Sequence, residues 1–371
     1  MMIKQGKRIS RNSCCRIFIP SALAAGIVLL LYACGNTQNG SVQQNKPFAN
    51  TDSGAIIKLG RYLFYDNHLS FNLTKSCSSC HDPVLAFTDG YRTSTTATGD
   101  NVLRNAPSLI NVVFQKRLDW ANPFVTDTYK QNERPLFNEH PIELGFKHNE
   151  EIILQYFREN DIYRKLFAEA FPNDDMLTVI SIRKSLAAFV NSLLSVNSAY
   201  DAYTQGDSAK LSLSAKNGLK LFFSPDLMCS SCHVPPLFTV NDKRNNISPD
   251  SIYFNTGVND GDNVDKGLFL FTHKTEDIGK FKVPSLRNVA LTAPYMHNGN
   301  METLGDVIDL YSRGRRHVSI NASTKPGFDK DDRIKGFSIT SNEKKDLIAF
   351  LHSLTDSTVL VNPLFSNPNT Y

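Results

Sequence analysis

The chain has 371 residues, of which 40 are lysine or arginine, 36 are aspartate or glutamate, and 41% are hydrophobic. This ordinary globular composition excludes collagen-like, disordered and multispan membrane chains. Five of the basic residues fall in the first 33 positions, which contain no acid, so the rest carries 35 basic against 36 acidic residues. A nearly neutral body argues against nucleic-acid binding, which needs a clustered basic face. The length predicts two domains, each able to bury a core.

The N-terminus has the pattern of an export signal. A basic stretch ending at Arg16 precedes an apolar run, which predicts a signal peptide over residues 1–33. The run ends in Leu-Tyr-Ala-Cys, which resembles a bacterial lipoprotein site with Cys34 as the acylated residue. An uncleaved signal anchor is the alternative, because about 17 apolar residues is the lower limit of a membrane span. Either interpretation predicts a body on the periplasmic side or in the cell envelope, tethered to a membrane only through its N-terminus. A polar linker is expected over 34–53.

Two copies of one short motif account for the remaining cysteines. Of seven cysteines, two lie in the signal region, one is Cys34, and four form two Cys-Ser-Ser-Cys-His sequences. C-x-x-C-H is the attachment motif of c-type haem, in which two thioethers fix the porphyrin and the histidine binds iron. A redox cysteine pair or a zinc site does not explain the adjacent histidine in both copies. The motif residues are Cys77, Cys80 and His81, and Cys229, Cys232 and His233.

The segments around the two motifs are repeated as well. Residues 59–65 before the first motif correspond to 217–223 before the second, and each ends a stretch with helical periodicity. After the motifs, Pro-Ser-Leu-Ile-Asn-Val at 107–112 corresponds to Pro-Ser-Leu-Arg-Asn-Val at 284–289. The repeated order predicts two related haem domains.

Strand signals are few, so the predicted fold class is mainly α, with two cytochrome c-like haem domains in one chain. Further helices are expected at 149–171, with Asn149 as N-cap, at 176–203, and at 341–354, with Ser341 as N-cap. The predicted boundaries are 54–205 for the first domain, 206–355 for the second and 356–371 for a C-terminal tail.

From about residue 54 to 355 the chain resembles the bacterial di-haem cytochrome c peroxidase superfamily, which includes MauG. The resemblance rests on LGRYLFYDNHLS before the first motif, LRNAPSLINVVF after it and KVPSLRNVALTAPYMHNG in the second half. It implies two covalent haems with a calcium ion between them. It also implies that the first haem reacts with hydrogen peroxide and that the second accepts or relays electrons.

The family carries a distal glutamine and a distal glutamate over the reactive haem, and Gln131 and Glu143 match these positions. The resemblance implies that Glu143 is the acid–base group for O–O cleavage and that Gln131 orients the peroxide. The stretch from Pro135 to Glu143 is two residues longer than usual, which leaves Glu139 as an alternative acid–base group. His140 is expected at the surface or behind these groups.

Trp120 is the only tryptophan, and it matches the position where the family places a tryptophan between the haems. The resemblance therefore implies that its indole relays an electron hole. The alternative is a buried core aromatic.

The resemblance also implies a calcium site and propionate contacts. The calcium ligands correspond to the Asn105 side chain and to the backbone carbonyls of Thr292 and Pro294, which are oxygen donors suited to a hard cation. Asn105 is alternatively a simple turn residue. Arg104 and Arg287 are expected to pair with haem propionates.

The loop over 82–105 contains neither histidine nor methionine, so we expect an open first haem that needs no prior reduction, unless His68 or His140 binds it. For the second haem, counting fourteen residues from His297 leads to Tyr311, where the MauG branch has tyrosine. Tyrosinate stabilises ferric and higher oxidation states, whereas a thioether raises the potential. The alternative ligands are Met296 and Met301, with His297 a further candidate.

The predicted function is therefore a di-haem peroxidase that reduces hydrogen peroxide. Its electrons would come from a c-type cytochrome or from another donor. As in MauG, that donor would be a partner protein that becomes oxidised, and Tyr311 favours this alternative. The alternative is a non-catalytic di-haem electron-transfer cytochrome, which has no need of the Gln131 and Glu143 pair. A haem-based sensor is disfavoured, no nucleic-acid partner is expected, and a homodimer is compatible with the sequence.

Overall fold

The computed structural model describes residues 54–258, 265–314 and 330–369. The predicted signal peptide, the lipidation site and the linker lie outside the described residues. No helix within these three ranges is long and apolar enough to cross a membrane. The helices are α1 (Gly54–Tyr65), α2 (Thr128–Gln131), α3 (Glu133–Phe137), α4 (Glu150–Glu159), α5 (Asp161–Ala170), α6 (Val179–Asn191), α7 (Ala199–Thr204), α8 (Leu213–Phe222), α9 (Phe269–Thr272), α10 (Leu304–Arg313) and α11 (Ser341–His352).

The fold is mainly helical, as predicted, with short 3₁₀ turns at both haem motifs and little strand. One two-stranded antiparallel sheet joins β1 (Tyr253–Phe254) to β2 (Phe281–Lys282). A large apolar core surrounds α1, α5 and α6, and a second surrounds α8, α10 and α11. The domain boundaries stay predictions.

Each half of the chain contains a pair of crossing helices with a glycine at the closest approach. At the crossing of α1 and α6, a Cβ on Gly60 would lie 1.8 Å from the carbonyl oxygen of Ser185. At the crossing of α8 and α11, a Cβ on Gly218 would lie 1.9 Å from the carbonyl oxygen of Asp346. Gly60 and Gly218 also occupy equivalent positions of the repeated sequence, so the duplication extends to the packing.

We expect Gly60→Ala and Gly218→Ala each to destabilise the protein by about 2–3 kcal/mol, because the facing backbone must move to admit a methyl group. Thermal unfolding of the haem-loaded variants, followed by circular dichroism, measures the effect. Gly54→Ala is the control, since a Cβ there meets nothing within 4 Å. An unchanged Tm for both crossing variants would contradict the tight approach of the helices.

The two P-S-L-x-N-V segments have the same local structure. In each copy the serine hydroxyl donates to a carbonyl in the loop after the haem motif, and the asparagine, in the left-handed region, donates its N–H to a carbonyl just after a long helix. The pairs are Ser108 with Ala86, Ser285 with Leu237, Asn111 with Leu193 and Asn288 with Leu354. These bonds fix the loop that follows each motif.

Two of the predicted helices are each divided in two. The helix expected over 149–171 breaks at Asn160, whose side-chain oxygen accepts from the N–H groups of Ile162 and Tyr163 and so starts α5. The helix expected over 176–203 ends with α6, and Ser198 caps α7 as a separate helix. An asparagine or serine side chain that caps a new helix ends the preceding one. The apolar periodicity continues across these positions and therefore does not predict the break.

The two predicted N-caps have different outcomes: the position of Asn149 is confirmed, and that of Ser341 is wrong. Asn149 holds the N-cap position of α4, but its amide nitrogen donates to Gly145 and its side chain makes no capping bond. The cap of α11 is Thr340 rather than Ser341, because the Thr340 side chain accepts from the N–H of Glu343 in a reciprocal capping box.

Candidate functional site

Both C-x-x-C-H motifs line one cavity of about 670 Å³, which is in the range of about 300–1,000 Å³ found for ligand and cofactor sites. Fifteen residues that the sequence analysis gave as first choices for the site also line this cavity. The fifteen residues are Cys77, Cys80, His81, Arg104, Asn105, Trp120, Gln131, Glu143, Cys229, Cys232, His233, Arg287, Thr292, Pro294 and Tyr311. The structure thus brings them together, while their individual roles stay predictions.

The two motif histidines are oriented in the same way. Nδ1 of His81 lies 2.8 Å from the carbonyl oxygen of Phe87, and Nδ1 of His233 lies 2.9 Å from that of Phe238. Burial lowers the pKa of both imidazoles, that of His233 to about 4. A neutral ring that donates through Nδ1 presents the lone pair of Nε2, which is the form that binds iron.

The motif cysteines are unpaired, and they lack the character of thiolate ligands. Burial raises the pKa of Cys77 and of Cys229, each to about 12. Redox cysteine pairs need thiolates, which arise where the surroundings lower the pKa. Over the described ranges, no group of three or more His, Cys, Asp or Glu side chains is arranged to hold a metal ion. The raised pKa values therefore argue against a redox pair, and the adjacent histidine in both copies fits thioether attachment of haem.

Glu143 lies half-buried beside the first motif. Burial raises its pKa, and the guanidinium of Arg134, with Nε 3.4 Å from Oε1, partly offsets that rise. The charge of Glu143 also contributes to the raised pKa of the Cys80 thiol, after the larger effect of burial. A carboxyl group with a raised pKa next to the reacting centre can take up and return a proton.

The alternative carboxylate, Glu139, lies outside the cavity wall. Its side chain is exposed and pairs with Lys147 and His148, and Lys147 lowers its pKa. Gln131, in contrast, is the half-buried last residue of α2 and lines the same cavity as Glu143. The geometry therefore favours Glu143 as the acid–base group.

Neither of the two histidines that were the alternative to an open first haem lines the cavity. His140 is exposed at the surface. His68 stacks on Tyr156 with ring centres 3.5 Å apart and pairs with Asp66, and these residues surround a separate cavity. This placement supports the prediction of an open first haem.

Arg134 is a residue of the candidate site that the sequence reasoning missed. Its Nη1 lies 3.0 Å from Oδ2 of Asp119, so the guanidinium links the carboxylates of Asp119 and Glu143. Asp119 Oδ1 accepts the N–H groups of Ala121 and Asn122 and so shapes the turn at Trp120. The only signal in the sequence was the position of Arg134 three residues after Gln131.

Replacing Arg134 by methionine should move the acid limb of the pH profile for peroxide reduction to higher pH. The base must be ionised to accept a proton, and Arg134 lowers the pKa of Glu143. Without the guanidinium the carboxyl stays protonated to a higher pH, so the rate starts to fall sooner as the pH decreases. The profile of the second-order rate constant between pH 4 and 8 tests this, with Lys147→Met as the surface control. A profile that is unchanged, or moved to lower pH, would contradict it.

Trp120 joins the two halves of the chain. Its indole N–H donates to the carbonyl oxygen of Asn105 at 2.9 Å, and its own carbonyl accepts the N–H of Lys282 in β2 at 2.8 Å. The Lys282 ammonium lies 5.6 Å from the centre of the indole ring. These contacts with both halves suit a relay between the two motifs. They suit a purely structural residue equally well.

The two arginines expected to bind propionates already have carboxylate partners. Arg104 makes a bidentate pair with Asp265, at 2.7 and 3.0 Å, and Arg287 makes one with Asp201, at 2.6 and 2.7 Å. Their charges are therefore balanced within the protein. Propionate binding by either residue stays a prediction.

The predicted calcium ligands lie on the same cavity. The Asn105 amide nitrogen donates to the carbonyl of Tyr91 at 2.9 Å, and its backbone N–H donates to His297 at 2.8 Å. The Asn105 side-chain oxygen, with the carbonyls of Thr292 and Pro294, remains the donor set that a hard cation would use. Calcium binding by these residues stays a prediction.

Tyr311 lies on α10 against the second motif. Burial raises its pKa, and the nearby thiols of Cys232 and Cys229 add to the rise. Met296 also lines the cavity, whereas Met301 lies outside its wall. His297 lines it too, but its ring stacks on Phe281 at 3.6 Å. Tyr311, Met296 and His297 thus remain candidate ligands, and the choice of Tyr311 stays a prediction.

Comparison with known proteins identifies what this arrangement is similar to. A family model described as di-haem cytochrome c peroxidase matches residues 54–209. The cytochrome-c peroxidase IdrP1 of Denitromonas iodatirespirans is 30% identical over 349 residues, 88% of each chain. The methylamine utilization protein MauG of Methylorubrum extorquens is 27% identical over 83% of this chain and 80% of its own. The crystal structure of a MauG-like protein associated with microbial copper homeostasis superposes with a TM-score of 0.80 at 39% identity, over 87% of this chain and 95% of the other.

Proposed function

The chain belongs to the di-haem cytochrome c peroxidase family that includes MauG, and from that premise we propose that it couples reduction of hydrogen peroxide to oxidation of a partner protein. Peroxide reacts at the first motif, and the oxidising equivalents are shared with the second. The observation that supports this most strongly is Glu143, a carboxyl group with a raised pKa in the cavity wall beside Cys80. A simple electron carrier has no use for such a group.

Two c-type haems, held by the two cysteine pairs and by His81 and His233, supply the redox chemistry. Glu143 would move a proton from the inner oxygen of peroxide to the outer oxygen as the O–O bond breaks, so that the outer oxygen leaves as water. The inner oxygen would become a second water once the partner protein has supplied two electrons and the solvent two protons. Gln131 donates a hydrogen bond that orients the bound peroxide, and Arg134 holds the Glu143 carboxylate in position.

Two observations favour a partner protein over a small cytochrome as the reductant. The phenol of Tyr311 borders the second motif, and an anionic oxygen ligand stabilises higher oxidation states. In addition, the structure at 39% identity is that of a MauG-like protein. Because that protein is associated with copper homeostasis, copper-handling proteins of the cell envelope are the first class of partner to test.

The experiment is an EPR spectrum of the ferric full-length protein, purified with its haems, followed by mixing with peroxide. We expect two haems per chain, one high-spin signal and one low-spin signal without prior reduction, and a fast reaction with peroxide. Two low-spin signals and no reaction would establish an electron carrier. Two low-spin signals with a reaction only after reduction would establish a reductively activated peroxidase fed by a cytochrome.

We also propose that the protein is a lipoprotein of the cell envelope, acylated at Cys34. The support is the basic and apolar sequence that precedes this cysteine. Cys34→Ser should move the haem-loaded protein from the membrane fraction to the soluble fraction. Retention in the membrane would favour an uncleaved signal anchor.

A further inference from the structure

Lys282 is a buried cation at the cavity wall, and the resemblance assigns it no role. It lies on β2, is 4% exposed and lines the cavity. Within the described ranges its ammonium makes one hydrogen bond, to the neutral amide oxygen of Gln115 at 3.4 Å. Burial lowers its pKa to about 8, so the side chain is still mostly charged at neutral pH. A buried charge is costly unless an anion balances it.

The buried arginines of the same cavity wall differ from Lys282 in this respect. Arg104 and Arg287 each have a bidentate carboxylate partner. Asp119 acts on Lys282 electrostatically, but its oxygens already accept from Arg104, from Arg134 and from two backbone N–H groups. Lys282 thus differs from Arg104 and Arg287, because its hydrogen-bonding partner among the described residues is neutral.

We propose that Lys282 binds a haem propionate beside Trp120. Each c-type haem brings two carboxylates into the cavity, and an ammonium with a neutral partner gains the most from a charge-assisted bond to one of them. The proposal rests on the haem attachment that is part of the proposed function. It adds a binding residue in the second half of the chain, in contact with the tryptophan that joins the halves.

The ion pair would have two consequences for Trp120. It would hold one haem edge next to the indole of Trp120, whose backbone carbonyl already accepts the backbone N–H of Lys282. It would also neutralise a positive charge 5.6 Å from the ring centre, and such a charge opposes the loss of an electron from the ring. Lys282 is therefore a positioning residue for the relay as well as a cofactor contact.

The test compares Lys282→Met with Lys116→Met in the full-length, haem-loaded protein. Lys116 is a half-buried lysine that also donates to neutral oxygens, including the Asn245 carbonyl at 3.1 Å, but it lies outside the cavity wall. We expect Lys282→Met to shift the propionate-bending band in resonance Raman spectra. It should also lower the reduction potential of one haem, because loss of a positive charge favours the ferric state. The control should leave both readouts unchanged.

An unchanged band and unchanged potentials in a Lys282→Met protein with two haems would overturn the proposal. If that variant does not load haem, Lys282→Gln and Lys282→Arg decide, since only arginine keeps the charge. Lys282→Arg should retain the wild-type reduction potentials, and Lys282→Gln should lower one of them. Equal potentials in the two variants would overturn the proposal. If neither variant binds haem, the wild-type protein itself is the test. A propionate-bending band at the frequency of a solvated carboxylate would then overturn the proposal. If the wild-type protein fails to react with peroxide but Lys282→Met still shifts the propionate band, only the proposed function is refuted.

Discussion

Replacing Glu143 by glutamine is expected to slow peroxide reduction by about 10²–10⁴-fold, the usual contribution of a positioned acid–base group. Glutamine has nearly the same shape but cannot accept the proton from peroxide, so O–O cleavage loses its proton transfer. Both haems should remain attached with unchanged absorption spectra, because the variant touches neither motif. The second-order rate constant from stopped-flow mixing with peroxide measures the effect.

Glu139→Gln is the matched control for this variant. Glu139 lies four residues earlier, but it is exposed and pairs with Lys147 and His148. Its replacement should leave the rate constant unchanged within about twofold, in keeping with a surface group. A slow Glu139→Gln beside a fast Glu143→Gln would reverse the assignment and would mean that the loop rearranges when haem is attached.

The choice between Glu143 and Glu139 illustrates what the sequence can predict. The two C-x-x-C-H motifs and the repeated P-S-L-x-N-V segments are local patterns, and their chemistry follows from spacing alone. All fifteen residues chosen from these patterns and from the family resemblance line one cavity. The insertion before Glu143 made the family spacing ambiguous. The structure separates the two carboxylates, because Glu143 lines the cavity whereas Glu139 is exposed and ion-paired outside it.

The contacts that the sequence could not predict join residues far apart in the chain. Arg104 pairs with Asp265, 161 positions later, and Lys282 meets Gln115 across 167 positions. No periodicity or local motif encodes such pairs, because they depend on how the halves pack. The helix boundaries failed for a different reason, since Asn160 and Ser198 cap new helices inside stretches that keep their apolar period.

Replacing Tyr311 by phenylalanine is expected to abolish or alter the low-spin EPR signal of the second haem. Burial raises the pKa of this phenol, so the side chain loses its proton only if a metal ion takes its oxygen. Phenylalanine cannot provide that oxygen, and loss of an anionic ligand should raise the reduction potential by on the order of 100 mV, within the span of about 0.8 V that axial ligands cover. EPR and spectroelectrochemical titration of the haem-loaded protein measure both changes.

Tyr295→Phe controls for the loss of a buried hydroxyl in the same cavity. The Tyr295 hydroxyl donates to the Val289 carbonyl at 3.1 Å, and burial raises its pKa to about 12, so its replacement should leave the EPR signals unchanged. If Tyr311→Phe also leaves them unchanged, Met296 and His297 are the next ligands to test. Met296→Leu should convert the second haem to high spin if the methionine is the ligand. A thioether ligand would raise the potential of the second haem and weaken the case for a partner protein as the reductant. The identity of this one ligand thus bears directly on whether the enzyme resembles MauG or a cytochrome-fed peroxidase.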